Sequence, residues 1–275
     1  MSRIIRGVLA LVVGGVIFAT CSLLVFVLSV ATFGLARPYI VHAPMWTGKI
    51  MLAVVYRGIL GIRCVVQRRN AHRKTSPTLV MANHPTLLTV MLFTAFAEEL
   101  VGMPLVFVGK REHLRNPFVG WALAVSGIGV LIDRVDRNGA ISTIRRSIAR
   151  VTQRGCALAI FPDQSRPTKQ FIAADQQKFA GKVPRLTSFR FTGVPRDGGV
   201  FASYGAMQNP CVIDFTTECS VPTARWRDIV GMVGSTYHLV VNDVTNDVPR
   251  DIERRREWLL GRWSQKNLII EHWRE

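Results

Sequence analysis

The chain has 275 residues, 49% of them hydrophobic, and a formal net charge of +17. That length suits one soluble-type domain of roughly 200 residues with an appendage, enough to bury a sizeable core. Its five cysteines, Cys21, Cys64, Cys156, Cys211 and Cys219, are odd in number and lack any Cys-x-x-Cys or Cys/His ligand spacing, which argues for a reducing compartment and against a structural metal.

In chain order, the first element is an uncharged run of 26 residues from Val8 to Phe33. About 20 apolar residues cross a hydrocarbon core, so this run reads as a membrane helix or a re-entrant helical pair. A cleaved secretory signal, with Arg3 and Arg6 as its basic end and Ser29-Val30-Ala31 as its cleavage site, is opposed by the length of the run. From Trp46 to Ile62, apolar Ile50, Met51, Val54, Val55, Ile59 and Leu60 alternate with Lys49 and Arg57, as in an amphipathic helix on a membrane surface or an ordinary core helix. A basic loop follows at Arg68 to Lys74.

Beyond the loop, short apolar runs alternate with helical segments. Strands are expected at Thr78–Met81, Leu105–Val108, Val130–Ile132, Ala157–Phe161, Val212–Thr217 and Tyr237–Val241. Helices are expected at Pro85–Leu100, Pro117–Val125, Gly139–Gln153 and Arg250–Trp263, with a long loop from Pro184 to Gly199. This alternation implies an α/β domain with a largely parallel sheet covered on both faces. The expected division is a membrane anchor over 1–36, an amphipathic and basic surface region over 37–75, and a catalytic domain over 76–275.

The charge is unevenly spread: residues 1–100 hold 10 basic and 2 acidic side chains, 101–200 hold 16 and 6, and 201–275 hold 9 and 10. Beside an apolar span, a basic surface fits anionic membrane phospholipids, each nearby Lys or Arg contributing about 1 kcal/mol. Nucleic acid is disfavoured, because aromatic residues are not interleaved with the arginines and the span has no role in that reading. With no P-loop and no Gly-x-Gly-x-x-Gly, a nucleotide cofactor held by a recognised loop is not expected.

The most informative stretch is Met81-Ala82-Asn83-His84-Pro85-Thr86-Leu87-Leu88-Thr89. It reads as a strand running into a helix, with His84 at the helix N-terminus. There an imidazole meets a substrate hydroxyl while free backbone N–H groups favour nearby anions. Downstream come Lys110-x-x-x-Leu114-x-x-Pro117-x-x-Gly120, ending in Gly129-Val130-Leu131-Ile132-Asp133-Arg134, and then Phe161-Pro162-Asp163-Gln164-Ser165-Arg166. Phe191-Thr192-Gly193-Val194-Pro195-Arg196-Asp197-Gly198-Gly199 closes the series.

In this order the blocks resemble those of the 1-acylglycerol-3-phosphate (lysophospholipid) acyltransferase family, in particular its eukaryotic-type lysophosphatidate and lysocardiolipin acyltransferase branch and bacterial relatives. The resemblance implies acyl transfer from acyl-CoA or acyl carrier protein, as acyl-donor substrate and without a cofactor, to a lysophospholipid acceptor. It makes His84 the base, with Asn83, Arg134, Asp163, Ser165 and Arg166 toward the acceptor, Arg166 and Arg134 on its phosphate. It also implies a membrane location, with the catalytic domain on the cytoplasmic face. The departures matter: Thr89 stands where the family's His-x-x-x-x-Asp motif has its acid, and Asp163, Gln164 and Ser165 replace Glu, Gly and Thr. A hydroxyl cannot supply the charge that compensates an imidazolium, so the rival reading is a catalytically impaired homologue that binds lipid or a partner protein.

Overall fold

The structure is a computed structural model that describes residues 1–69, 77–86, 88–115, 120, 127, 129–163, 166–183, 186–221 and 226–275. Apart from Gly120, the expected helix over 117–125 lies outside the described residues, as does most of the basic loop over 68–74.

The chain opens with α1 (Arg3–Ala31), the short α2 (Arg37–Ile40) and α3 (Ala43–Ile50), which runs directly into a π-helix, Met51–Leu60. Then come β1 (Arg63–Arg68), β2 (Thr78–Ala82), α4 (Thr89–Leu100), β3 (Leu105–Lys110), β4 (Gly129–Ile132), α5 (Arg137–Gln153) and β5 (Ala157–Ile160). The chain continues through α6 (Lys169–Phe179), α7 (Asp197–Met207), β6 (Cys211–Cys219), β7 (Thr236–Asp243) and α8 (Ile252–Arg274).

The seven strands form one sheet in the order β1-β7-β6-β2-β5-β3-β4, parallel throughout except for the antiparallel pair β6 and β7. Central β2 and β5 are buried along their whole length, as strands covered on both faces must be. One face packs on α4, the π-helix and α1 through residues such as Phe93, Val55 and Ala10. The other packs on α5, α7 and α8 through Ile148, Val200 and Trp263.

Helix α1 does not stand away from the domain. Gly7 and Gly14 are buried in it, and a Cβ on Gly7 would come within 2.6 Å of Val230 Cγ2. Arg6 Nε donates to Ile59 O at 2.5 Å, placing a cation on the carbonyl end of the π-helix, where a helix dipole favours one. Its outer face is apolar and exposed, including Val8, Val12, Val16, Leu23 and Leu24, and α1 is long and apolar enough to cross a membrane. The segment expected as a surface or core helix is half of each: Leu52, Val55, Tyr56 and Leu60 are buried, while Val54 and Trp46 are exposed.

Two expectations are corrected. The helix expected from Pro85 starts at Thr89, because the residues before it form a turn held by side chains, Thr89 Oγ1 accepting from Thr86 N and Thr86 Oγ1 from Leu88 N. The loop expected over 184–199 ends early, since α7 begins at Asp197, and α6 occupies a stretch for which no element was expected.

Candidate functional site

The site forms where β2, β4 and β5 end on the same side of the parallel sheet. Beyond β2, Asn83 is 1% exposed and both ends of its amide are taken: Nδ2 donates to Thr217 O at 2.7 Å and Oδ1 accepts from Thr217 N at 2.9 Å. Asn83 thus ties β2 to β6 and fixes the start of the loop that carries His84.

The His84 ring stacks on Phe161 with centroids 4.6 Å apart, and Phe93 and Phe107 stack on the same phenylalanine. Its main-chain N–H donates to Asp163 Oδ2 at 3.1 Å. Nδ1 is enclosed and has no hydrogen-bond partner among the described residues, whereas the residue as a whole keeps partial exposure. The enclosed edge of the ring is therefore the Nδ1 edge. Burial, with Arg166 and Arg134 close enough to repel a second positive charge, pushes the imidazole down to about 3, so it is neutral at physiological pH.

Asp163 is 1% exposed, and its Oδ1 also lacks a partner among the described residues. Burial pushes its carboxyl up to about 7, against the lowering effect of the His84 amide, Lys266 and Arg134. Arg134 follows β4 and is half-buried, near Glu112 and Asp163. Arg166 follows β5 and is also half-buried, with no side-chain partner among the described residues. Ser165 lies outside the described residues.

Thr89 is fully buried and turned toward Thr86. Its Oγ1 accepts from Thr86 N at 3.1 Å and lies 3.2 Å from Thr86 Oγ1, while Thr86 Oγ1 accepts from Leu88 N. These bonds close the turn that leads into α4, whose N-cap Leu88 makes no side-chain cap bond, and the Thr89 hydroxyl makes no hydrogen bond to His84. The structure therefore brings His84, Asp163, Arg134 and Arg166 together and sets Asn83 and Thr89 to structural work beside them.

Sequence reasoning missed His113, which shares this neighbourhood: burial lowers its pKa, as do Lys110, Arg134 and Arg166, with Glu112 opposing. The fourth block is also structural. Arg196 pairs with buried Asp175 and lies 4.2 Å over the Phe179 ring, and Gly193 admits Phe171, whose Cε1 would stand 2.7 Å from any Cβ there. Behind the site, Lys266 of α8 donates to buried Asp214, to Phe215 O at 2.6 Å and to Thr216 Oγ1. No group of three or more His, Cys, Asp or Glu suited to a metal occurs among the described residues.

The family model for acyltransferases matches residues 63–182, a stretch running from β1 through His84 and Arg166 to the end of α6. Residues 63–182 are an acyltransferase-family domain. The chain is 28% identical over 127 residues to the 1-acyl-sn-glycerol-3-phosphate acyltransferase of Saccharomyces cerevisiae, a match covering 46% of this chain and 39% of that protein. The fold is similar to that of the 1-acyl-sn-glycerophosphate (LPA) acyltransferase PlsC from Thermotoga maritima, with a TM-score of 0.59, 98% of both chains covered and 16% identity. These comparisons support the lysophosphatidate acyltransferase family, the one that the ordered motifs resemble.

Proposed function

We propose that this chain is a membrane-bound O-acyltransferase that moves a fatty acyl group from acyl-CoA or acyl carrier protein to the hydroxyl of lysophosphatidate or a related lysophospholipid. The observation that carries the reading is His84, mostly buried but still partly accessible and held neutral by that burial, flanked by two arginines that follow two different strands. Guanidinium groups hold phosphate through paired charge-assisted hydrogen bonds, and a neutral imidazole accepts a hydroxyl proton.

In this mechanism the acceptor phosphate lies against Arg134 and Arg166. Burial is the main cause that lowers the imidazole and repulsion by the two arginines adds to it; the phosphate's negative charge offsets that added repulsion, so binding of the correct acceptor makes His84 more basic. His84 takes the acceptor hydroxyl proton as the oxygen attacks the thioester carbonyl. The tetrahedral intermediate collapses, the carbon–sulfur bond breaks, and the proton passes from His84 to the thiolate. A thiolate is a good leaving group, so no covalent acyl-enzyme is required, and none of the cysteines lies in a nucleophile motif.

The exposed apolar face of α1, continued by Phe33, Leu35, Tyr39 and Trp46, is assigned to the lipid phase, with the catalytic domain on the cytoplasmic side. That placement would bring an amphipathic acceptor to the site without leaving the membrane. One observation favours the rival, non-catalytic reading: Thr89 offers no carboxylate and its hydroxyl is occupied by Thr86. The test is acyl transfer by the membrane-embedded protein, with lysophosphatidate and other lysophospholipids offered with both donor types. Formation of a diacyl product supports the enzyme. No product from any pair, with lysophospholipid binding retained, supports the rival.

A further inference from the structure

We propose that Asp163 is the carboxylate that positions His84 and compensates its charge, taking the place of the acid missing at position 89. The inference rests on the acyl-transfer reading of the site and adds a role to Asp163 beyond orienting the acceptor.

Three observations converge on it. The Asp163 side chain is anchored on His84 itself, through the His84 amide to Oδ2 at 3.1 Å. Asp163 Oδ1 and His84 Nδ1 are both enclosed and both lack a partner among the described residues. A buried polar atom without a partner costs about 1–3 kcal/mol, and here two complementary ones belong to residues already joined by the bond from the His84 main-chain N–H to Asp163 Oδ2. The two atoms make no direct hydrogen bond in the structure, so the pairing runs through one enclosed water, or closes to a direct Nδ1–H to Oδ1 bond when the side chains turn toward each other, and either satisfies both. Thr89, by contrast, has its hydroxyl bonded to Thr86 in the turn that leads into α4.

The charges around the pair give the acid something to do. Arg134 and Arg166 face His84 and oppose its protonation, Lys266 and Arg134 face Asp163 and favour its ionisation, and Glu112 faces Arg134 and His113. When His84 takes the acceptor proton, the new positive charge would stand among cations unless an ionised Asp163 offsets it. The tautomer follows the same logic. Ionised Asp163 accepts from Nδ1–H and leaves Nε2 free as the base, whereas protonated Asp163 donates to Nδ1 and puts the hydrogen on Nε2. Since burial moves this carboxyl up to about 7, the working form is gained as pH rises through that value.

The experiment uses the full chain in lipid or detergent, with four variants: Asp163→Asn, Asp163→Glu, Thr89→Asp and the double variant Thr89→Asp/Asp163→Asn. Wild-type kcat is expected to rise through pH 7. Asp163→Asn should lose about 10²–10⁴-fold in kcat, the scale of imposing the wrong tautomer on a histidine base, with KM for lysophosphatidate changed only a few-fold. Asp163→Glu or the double variant should recover part of the loss. A loss confined to KM would return Asp163 to acceptor binding and overturn the proposal, as would an unchanged pH profile in Asp163→Asn.

A second readout does not need turnover. Histidine labelled with ¹⁵N, with the His84 signal assigned by its loss in His84→Gln, reports the tautomer directly. The expected result is an Nδ1–H tautomer at pH 8 in the wild type that is altered in Asp163→Asn. The same tautomer and the same titration in both proteins would refute the pairing. If wild type transfers no acyl group yet shows the Asp163-dependent tautomer, the acyl-transfer reading fails and the pairing stands.

Discussion

Replacing Asp163 by Asn should stabilise the fold above neutral pH while damaging the site. In the folded chain the carboxyl is moved from an ordinary 3.8 to about 7 by burial, so ionising it there is costly. The folded value lies above the unfolded one, so its contribution is fully present below about pH 4 and is lost as pH rises through 7. Integrated over that window at 1.36 kcal/mol per pH unit, the cost is about 2 kcal/mol at pH 5 and about 4 kcal/mol at pH 8. Asn keeps an oxygen for the His84 amide and carries no charge, which removes the cost. Thermal or urea unfolding, followed by tryptophan fluorescence at pH 5 and pH 8, should show a stabilisation that grows between the two. At about 2–4 °C per kcal/mol for a chain near this size, the added shift in Tm is several degrees. A constant difference across pH, or a less stable variant at pH 8, would refute the idea that the fold holds a strained acid for the sake of the site.

Arg166→Ala should raise KM for lysophosphatidate about 10- to 100-fold, the equivalent of losing ~1.5 to 3 kcal/mol of charge-assisted hydrogen bonding, with KM for the acyl donor unchanged in steady-state assays. Asp214→Ala should destabilise the chain by about 3–5 kcal/mol in denaturant unfolding, because it leaves the Lys266 ammonium, 1% exposed, without its carboxylate. Washing membranes with 1 M salt, where the Debye length falls to about 3 Å, should leave the protein in the pellet, since α1 is assigned to hydrophobic insertion. Complete release in a sedimentation assay would contradict that assignment.

The central strands were legible because continuous apolar runs such as Thr78–Met81 and Ala157–Phe161 have one stable place, inside a sheet covered on both faces. Edge strand β1 was not, since its exposed Arg63, Gln67 and Arg68 give it a weak apolar pattern, as suits an edge. The start of α7 was read as loop because Gly198 and Gly199 close the breaker-rich stretch from Pro184. In the fold Gly199 lies against Ile144 of α5, where a small residue permits close packing. Helix α8 was expected to stop at Trp263, but it runs on to Arg274, where the guanidinium pairs with buried Glu218. At the site, motif order was enough to single out His84, Asp163 and Arg166. The bonds that define their roles were hidden by distance along the chain: 79 residues separate His84 from Asp163 and 134 separate Asn83 from Thr217. Thr89 illustrates the other limit, because a motif position says which residue stands there and not which way its hydroxyl turns.

The most direct test of the account is acyl transfer from a radiolabelled acyl thioester to lysophosphatidate, measured side by side for wild type and His84→Gln. Matched unfolding curves would establish that both proteins are folded. The account predicts a diacyl product from the wild type and a loss of at least about 10²-fold in the variant, the lower end of what a general base contributes. Equal rates in the two proteins would contradict it, as would a folded wild type that acylates no lysophospholipid from either donor.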